Sequence, residues 1–499
     1  MMRHVAGLGI LLIVLAAAPA RAEPPLELLD LPPMHHPSQP PAIPDWRMSV
    51  TAPEVGRPGK PGDVTLARAR SLIELAPVRR QLLEDRPGAQ VITLRGGTFE
   101  LADLARALGD PDVLERRGRT FVLRRPLVVQ ADATLRITGG AQLRLDTARR
   151  VFVINAGRLL VMGSEITSRD EANSPTVLRH DRDFRPFVLA ISGSWTEIRD
   201  STLAHLGYAA PGSWGLTLAR RPAALAHRGA PGGRLIDNRI IGNYYGFYSY
   251  AAEDVVIAAN EVRASIVYGI DPHSGSRRLV IADNTVVATR RRHGIVLSRD
   301  VSDSWIIGNR SIGNAGSGIV LDRQSTGNLI AHNIVAGNHG DGLSLLESPG
   351  NRLWHNLVLG NARNGLRVRN SWAVEVQRNR FAHNGSHGVE LYARRLWDQP
   401  GRDLRRDPYQ VRLDLVLAHN WFAGNRSSAL SLRNPEQVDL QGLYRASGSA
   451  RAPAEPLRLG GELRRLTDAI DARLAAAGGV RIRGRQAPEP DDRLASLPR

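Results

Sequence analysis

The chain has 499 residues, no cysteine, and 66 lysines and arginines against 49 aspartates and glutamates, for a formal net charge of +17. Without cysteines no disulfide can brace the fold, so stability has to come from an apolar core. Lys60 is the single lysine, so arginine carries almost all of the positive charge, and a surface of that kind attracts polyanions.

The N-terminus places Arg3 and His4 before an apolar run from Val5 to Ala18, then Ala20-Arg21-Ala22 ahead of Glu23. That order is the pattern of a secretory signal peptide over 1–22, with an A-x-A cleavage site. Later stretches fall short of the ~20 uninterrupted apolar residues of a membrane helix, so the mature chain is expected to have no membrane span. Export removes nucleic acid as a partner and leaves acidic polysaccharide or anionic lipid. The expected compartment is the periplasm.

Residues 23–60 are proline-rich and read as an irregular lead-in. Apolar residues recur at helical spacing from about Leu66 to Asp85 and again from Glu100 to Arg117, which predicts a small α/β cap over 61–119. Such a cap would cover the open edge of whatever sheet follows. Alternating segments such as TLRITGGAQLRLD begin near residue 120 and continue to about Leu432, interrupted by the polar loop Tyr392–Gln410. Residues 433–499 form a C-terminal cap and tail, with an amphipathic helix over Glu462–Ala477 and a disordered last twenty residues.

The alternating region repeats. Asn238, Asn260, Asn284, Asn309, Asn333, Asn356 and Asn379 follow one another at intervals of 22, 24, 25, 24, 23 and 23 residues. Asn243, Asn314, Asn338, Asn361 and Asn384 come five positions after their partners, and Gly-apolar pairs such as Gly294-Ile295 and Gly318-Ile319 follow. A period in the ~20–50 range with short strand patterns inside it signals a β-solenoid. Asparagine tolerates the left-handed backbone of a corner, and its amide can bond to its counterpart one coil away. The fold class expected is all-β, a parallel β-helix. Its right-handedness is inferred by resemblance to known β-helices.

An active site should lie where a coil departs from the repeat. The coil opening at Asn260 has Ser265 where the second asparagine belongs, and after Gly269-Ile270 it reads Asp271-Pro272-His273-Ser274. Proline cannot donate to a sheet ladder, so a local strand break presenting His273 outward is expected. Arg299 and Arg323 each stand five residues after the glycine of the next two coils. With coils ~4.8 Å apart, His273 and Arg299 should share a face one rung apart, bordered by Tyr268 and Tyr250. A histidine is suited to removing a proton α to a carboxylate near neutral pH, and an arginine fork to holding that carboxylate as charge develops on it.

The segments NYYGFYSYAAEDVVI, VYGIDPHSGSRRLVIADN, HGIVLSRDVSDSWIIGNRS, SGIVLDRQSTGNLIAHN and HGDGLSLLESPGNRLWHN, between about Tyr244 and Glu390, resemble the periplasmic mannuronan C5-epimerases of alginate biosynthesis. The resemblance implies that His273, in the family's DPHD motif, is the base that takes the C5 proton. It implies that Arg299, in an SR pair, neutralises the uronate carboxylate, and that water returns the proton on the opposite face. Tyr268, Asp271, Tyr250 and Arg323 are assigned to substrate binding. The chain departs from the motif at Ser274, which replaces its final aspartate. No cofactor and no metal are expected, and the implied partners are polymannuronate and a periplasmic polysaccharide export complex. Two other readings of the residues remain open here: a uronan lyase working by β-elimination, and a non-catalytic scaffold for an exported acidic polymer.

Overall fold

A computed structural model describes residues 27–31, 41–45, 57–78, 89–169, 174–397, 402–446, 454–476 and 478–484. The leader at 1–22, most of the proline-rich lead-in and residues 485–499 of the tail lie outside the described residues. The described chain winds into a parallel β-helix of three sheets with fifteen, fifteen and fourteen strands. One coil shows the rule. Tyr245–Tyr250 lies on the first wall, Val255–Ala258 on the second and Glu261–Arg263 on the third, and Tyr268–His273 returns to the first beside Tyr245–Tyr250.

Alternation sets the interior. On the first wall Phe247, Ile270, Ile295, Ile319, Leu343, Leu366 and Val389 stack in one buried column, each the residue after the repeat glycine. Glycine is required before them. A Cβ at Gly269 would come within 2.3 Å of Val286 and 2.5 Å of the Gly294 carbonyl, because two walls meet there.

The asparagines form the ladder read from the repeat. Each Nδ2 from Asn238 through Asn379 donates to the next Oδ1 at 2.8–3.1 Å, ending on Asn420, and each backbone N–H donates to the same oxygen. The preceding corner residues, among them Asp237, Ala259, His332, His355, Arg378 and His419, are left-handed with φ between 52° and 56°. These buried amides therefore satisfy corner backbone groups that the sheets cannot reach. The second ladder runs Asn314–Asn338–Asn361–Asn384–Asn425. It is interrupted at Ser265 and Thr289, leaving Asn243 Nδ2, Ser265 Oγ and Thr289 Oγ1 buried without partners.

The ends are closed differently from the sequence expectation. Of the segment with helical spacing from Leu66 to Asp85, residues 79–85 lie outside the described residues, and the described part, 66–78, is not α-helical. Val64–Arg68 is a strand, antiparallel to Gln90–Leu94, followed by short 3-10 turns at Ala69–Ser71 and Ile73–Val78. The open ladder of the first coil recruits this segment, and pairing there outweighs local periodicity. The second helical segment forms over Leu101–Leu108 and stops at Gly109, with φ 62°. Pro111 follows, and Leu114–Arg117 turns back as a strand against Thr120–Leu123. Parallel pairing begins at Gln90–Leu94 and Gly97–Glu100, so the solenoid starts within the segment assigned to the cap. At the other end, Gly461–Leu466 is a 3-10 turn and Thr467–Ala475 a helix that buries Ile470 and Leu474 against the core. Gly479–Arg483 adds an antiparallel strand between Gln437–Gln441 and Glu27–Leu31, so part of the tail is ordered sheet.

Candidate active site

The first wall carries a groove of about 470 Å³ on its outer face. Outward residues fall into columns one rung apart. Tyr245 pairs in register with Tyr268, Tyr248 with Asp271, and Tyr250 with His273, which in turn pairs with Ser298 and then Asp322. Trp214, Tyr245, Tyr248 and Tyr268 line one end, Arg323 and Arg367 the other, and Val296, Val320 and Leu346 are apolar lining residues between.

Pro272 shapes this coil without breaking it. The strand runs through Tyr268–His273, which corrects the expected strand break. The N–H groups of Ile270 and Ser274 donate forward to the Gly294 and Ser298 carbonyls, and Pro272 between them has no hydrogen to give. The ladder to the next coil is therefore thinned at that point, with register pairs only at Ile270–Ile295 and His273–Ser298.

His273 lines the groove, half-buried, with Nδ1 2.6 Å from Ser274 Oγ. Burial first, then the charges of Arg299 and Arg323, push its imidazole down to about 4, while Asp407 opposes them. At neutral pH the ring is uncharged and able to accept a proton. Asp271, 2% exposed, is pushed well above the ordinary carboxylate value by burial and by Asp322, which disfavours its charged form beside the tyrosines. Burial raises Asp322 itself to about 6. Burial also raises the phenols of Tyr245, Tyr248 and Tyr268, which keeps them protonated.

Arg299 is placed differently from the expectation. It stands one residue past Ser298, so its rung neighbour is Ser274, and the Gly275 N–H donates to its carbonyl. Its guanidinium is engaged by Asp407, 1% exposed, with Nη2 donating to Oδ2 at 3.1 Å. Arg323, stacked on the same corner, lines the groove and lies 3.7 Å from the same carboxylate. Tyr268, Asp271, His273 and Arg323 are thus brought together in the groove, with Arg299 at its border. Tyr250 is in register with His273 but lies outside the groove lining, its ring under the Arg221 guanidinium at 4.4 Å. Tyr248 takes the place expected of it, its ring 5.7 Å from that of His273.

The likeness of this chain to known proteins is specific. Residues 215–361 and 323–395 match the family described as "Periplasmic copper-binding protein (NosD)", a match that follows the repeated coils. A mannuronan C5-epimerase of Pseudomonas putida is 37% identical over 386 residues, covering 76% of this chain and 74% of the relative. One from Pseudomonas aeruginosa is 37% identical over 445 residues, covering 86% of this chain and 81% of that one. The chain belongs to the mannuronan C5-epimerase family. A crystal structure of the periplasmic alginate epimerase AlgG superposes with a TM-score of 0.75 at 32% identity, covering 85% of this chain and 99% of the other. A single-substitution mutant of AlgG superposes at 0.77 and 33% identity, covering 81% of this chain and 99% of its own.

Within this epimerase family member, sequence reasoning missed several groove residues. His293 stacks on Tyr268 with ring centroids 5.9 Å apart, and its Nδ1 accepts the Ser317 N–H at 2.8 Å. That bond fixes the neutral tautomer with the proton on Nε2, and burial pushes the ring down to about 4. His293 is therefore a donor rather than a second base. A signal for it existed, since the residue before each repeat glycine reads Tyr245, Tyr268, His293, Ser317, Asp341 down one outward column. Asp407 had no such signal, because it arrives from the loop after Tyr392, outside the repeat. Among the described residues, no group of three or more His, Asp or Glu is arranged to hold a metal ion.

Proposed function

We propose that this chain epimerises β-D-mannuronate to α-L-guluronate within polymeric alginate in the periplasm, reached through the leader at 1–22 and beside the machinery that exports the polymer. The observation that carries the reading is a neutral imidazole, His273, in an open groove between tyrosines and the paired arginines Arg299 and Arg323. A linear acidic polymer fits such a groove, with sugar rings against the aromatic end and carboxylates toward the arginines. His273 takes the C5 proton. The electron pair left on C5 moves into the carboxylate, and the arginines stabilise the enolate-like charge where it grows. A proton returns to the opposite face of C5 from water, which inverts the centre, and His273 releases its proton to solvent. Every bond other than C5–H survives the cycle. Burial disfavours a charge on Asp271, which lessens the repulsion a substrate carboxylate would meet there.

A lyase would share the first step and then expel the 4-O substituent, which the protonated tyrosines could assist. Polymannuronate incubated with the protein in deuterated water separates the two. Epimerisation puts deuterium at C5 of new guluronate with chain length unchanged, whereas shorter chains with unsaturated ends would overturn the reading.

A further inference from the structure

The third wall carries a second depression, away from the groove. Leu357, Arg380, Trp421 and Tyr444 are successive rungs of one outward column. The Trp421 and Tyr444 rings are stacked at 6.1 Å and 8°, and Tyr444 is 60% exposed. The left-handed corner two residues earlier in each coil carries a parallel column, His355, Arg378 and His419. Between the columns the asparagine ladder is buried and self-satisfied, so its amides offer little to a ligand. The result is a trough of about 580 Å³ running along the solenoid axis.

Its charge is one-sided. Among the described residues, neither Arg378 nor Arg380 has a carboxylate within ion-pairing reach, whereas arginines on the neighbouring second wall do. Arg352, for example, meets Glu375 at 3.0 Å and Arg481 meets Asp439 at 2.6 Å. Arg378 lies over the Trp354 ring at 5.4 Å, and its Nε is buried without a hydrogen-bond partner. Burial, then His332, Arg378 and Arg380, push His355 down, and burial, then Arg378, push His419 down, so both imidazoles favour the neutral, hydrogen-bonding form. Flat aromatic rings, unpaired guanidiniums and neutral imidazoles in two parallel lines match one ligand class: a chain of pyranose rings, each bearing a carboxylate. The ring faces pack C–H groups on the aromatics, and the guanidiniums donate to the carboxylates.

We infer that the trough lined by His355, Arg378, Arg380, His419, Trp421 and Tyr444 is a second, non-catalytic binding site for an acidic polysaccharide. The inference rests on the proposed function for its choice of polymannuronate. The trough lies on a different wall from His273 and about five rungs further along, ~24 Å at ~4.8 Å per rung. Two sites so placed hold two stretches of one long polymer, which raises its effective concentration at the groove.

Calorimetric titration of the mature protein with mannuronate oligomers of about ten residues tests this. Wild type should show two binding events, the weaker one salt-sensitive. The variant Arg380→Glu/Tyr444→Ala should lose that event, with affinity falling about tenfold or more, the scale of one charge-assisted hydrogen bond. Retention of the groove event in the variant reports that it is folded. A single event in wild type, an unchanged second event in the variant, or equal binding of a neutral glucan of the same length would overturn the inference. Two events on a protein that leaves C5 unlabelled in deuterated water would sink the epimerase reading and leave the second site standing.

Discussion

Arg299 shares its guanidinium with Asp407, 108 residues downstream, at 3.1 Å through both Nη2–Oδ2 and Nε–Oδ1. The carboxylate is 1% exposed and also faces Arg323 at 3.7 Å. The loop carrying it is pinned at the same corner by Arg402, which meets buried Glu347 at 2.6 Å, and by Gln324 donating to the Pro408 carbonyl at 2.7 Å. Asp407 therefore orients the two arginines and offsets their repulsion before a substrate carboxylate arrives.

That arrangement makes Asp407 a positioning residue. Asp407→Asn keeps the shape and removes the charge, and it should lower kcat about tenfold, the cost of a misaimed charge-assisted contact, while leaving KM unchanged or lower. Steady-state kinetics on polymannuronate check this. Unchanged kcat would mean that the loop only decorates the corner.

The pH profile follows from the same charges. The proposed base, His273, held at about 4, stays neutral through the physiological range, so the acid limb of kcat/KM should lie well below the ordinary histidine value. Arg299 and Arg323 depress His273 and Asp407 raises it. Arg323→Gln should therefore move the limb up in pH, and Asp407→Asn should move it down. Shifts of the opposite sign would show that the limb belongs to another group.

Much of this is legible in the sequence because a solenoid repeats. One period of Asn, apolar and Gly positions yields the coils, the corners and the interior column at Ile270, Ile295 and Ile319. His273 stands out because Pro272 and Ser265 violate the period. Counted from the repeat glycines, His273 stands at the fourth position and Arg299 at the fifth, so the register itself sets Arg299 beside Ser274, at a left-handed corner, rather than beside His273. Tyr250 and Tyr248 are two apart and share an outward parity, so alternation alone cannot choose between them. Asp407 and the antiparallel closures at Val64–Arg68 and Gly479–Arg483 depend on long-range pairing, which no local pattern encodes.

The interrupted second ladder offers a gain of stability. Ser265→Asn would present Oδ1 to the orphan Nδ2 of Asn243 and its own amide to Thr289 Oγ1, both now without partners. The expected stabilisation is about 1 kcal/mol, measured by denaturant unfolding. Conversely, Asn333→Ala removes an acceptor for Asn309 and a donor to the Ile306 carbonyl, and should cost about 2–4 kcal/mol. A neutral Asn333→Ala would show that water replaces the ladder.

Burial disfavours the charged form of Asp271, so a neutral amide is expected to serve in its place. Asp271→Asn should keep activity within about threefold, whereas Asp271→Leu, which removes the polar atoms, should lose far more. If the amide is as damaging as leucine, the carboxyl is titrating in the cycle after all.

The most direct test is deuterium uptake at C5 of polymannuronate by His273→Gln, in a protein shown to be folded by its melting curve. The wild type should label each new guluronate, and the variant should leave mannuronate unlabelled as well as unconverted, because the proton is never removed. Label appearing in either sugar at a rate close to wild type would contradict the assignment of His273 as the base.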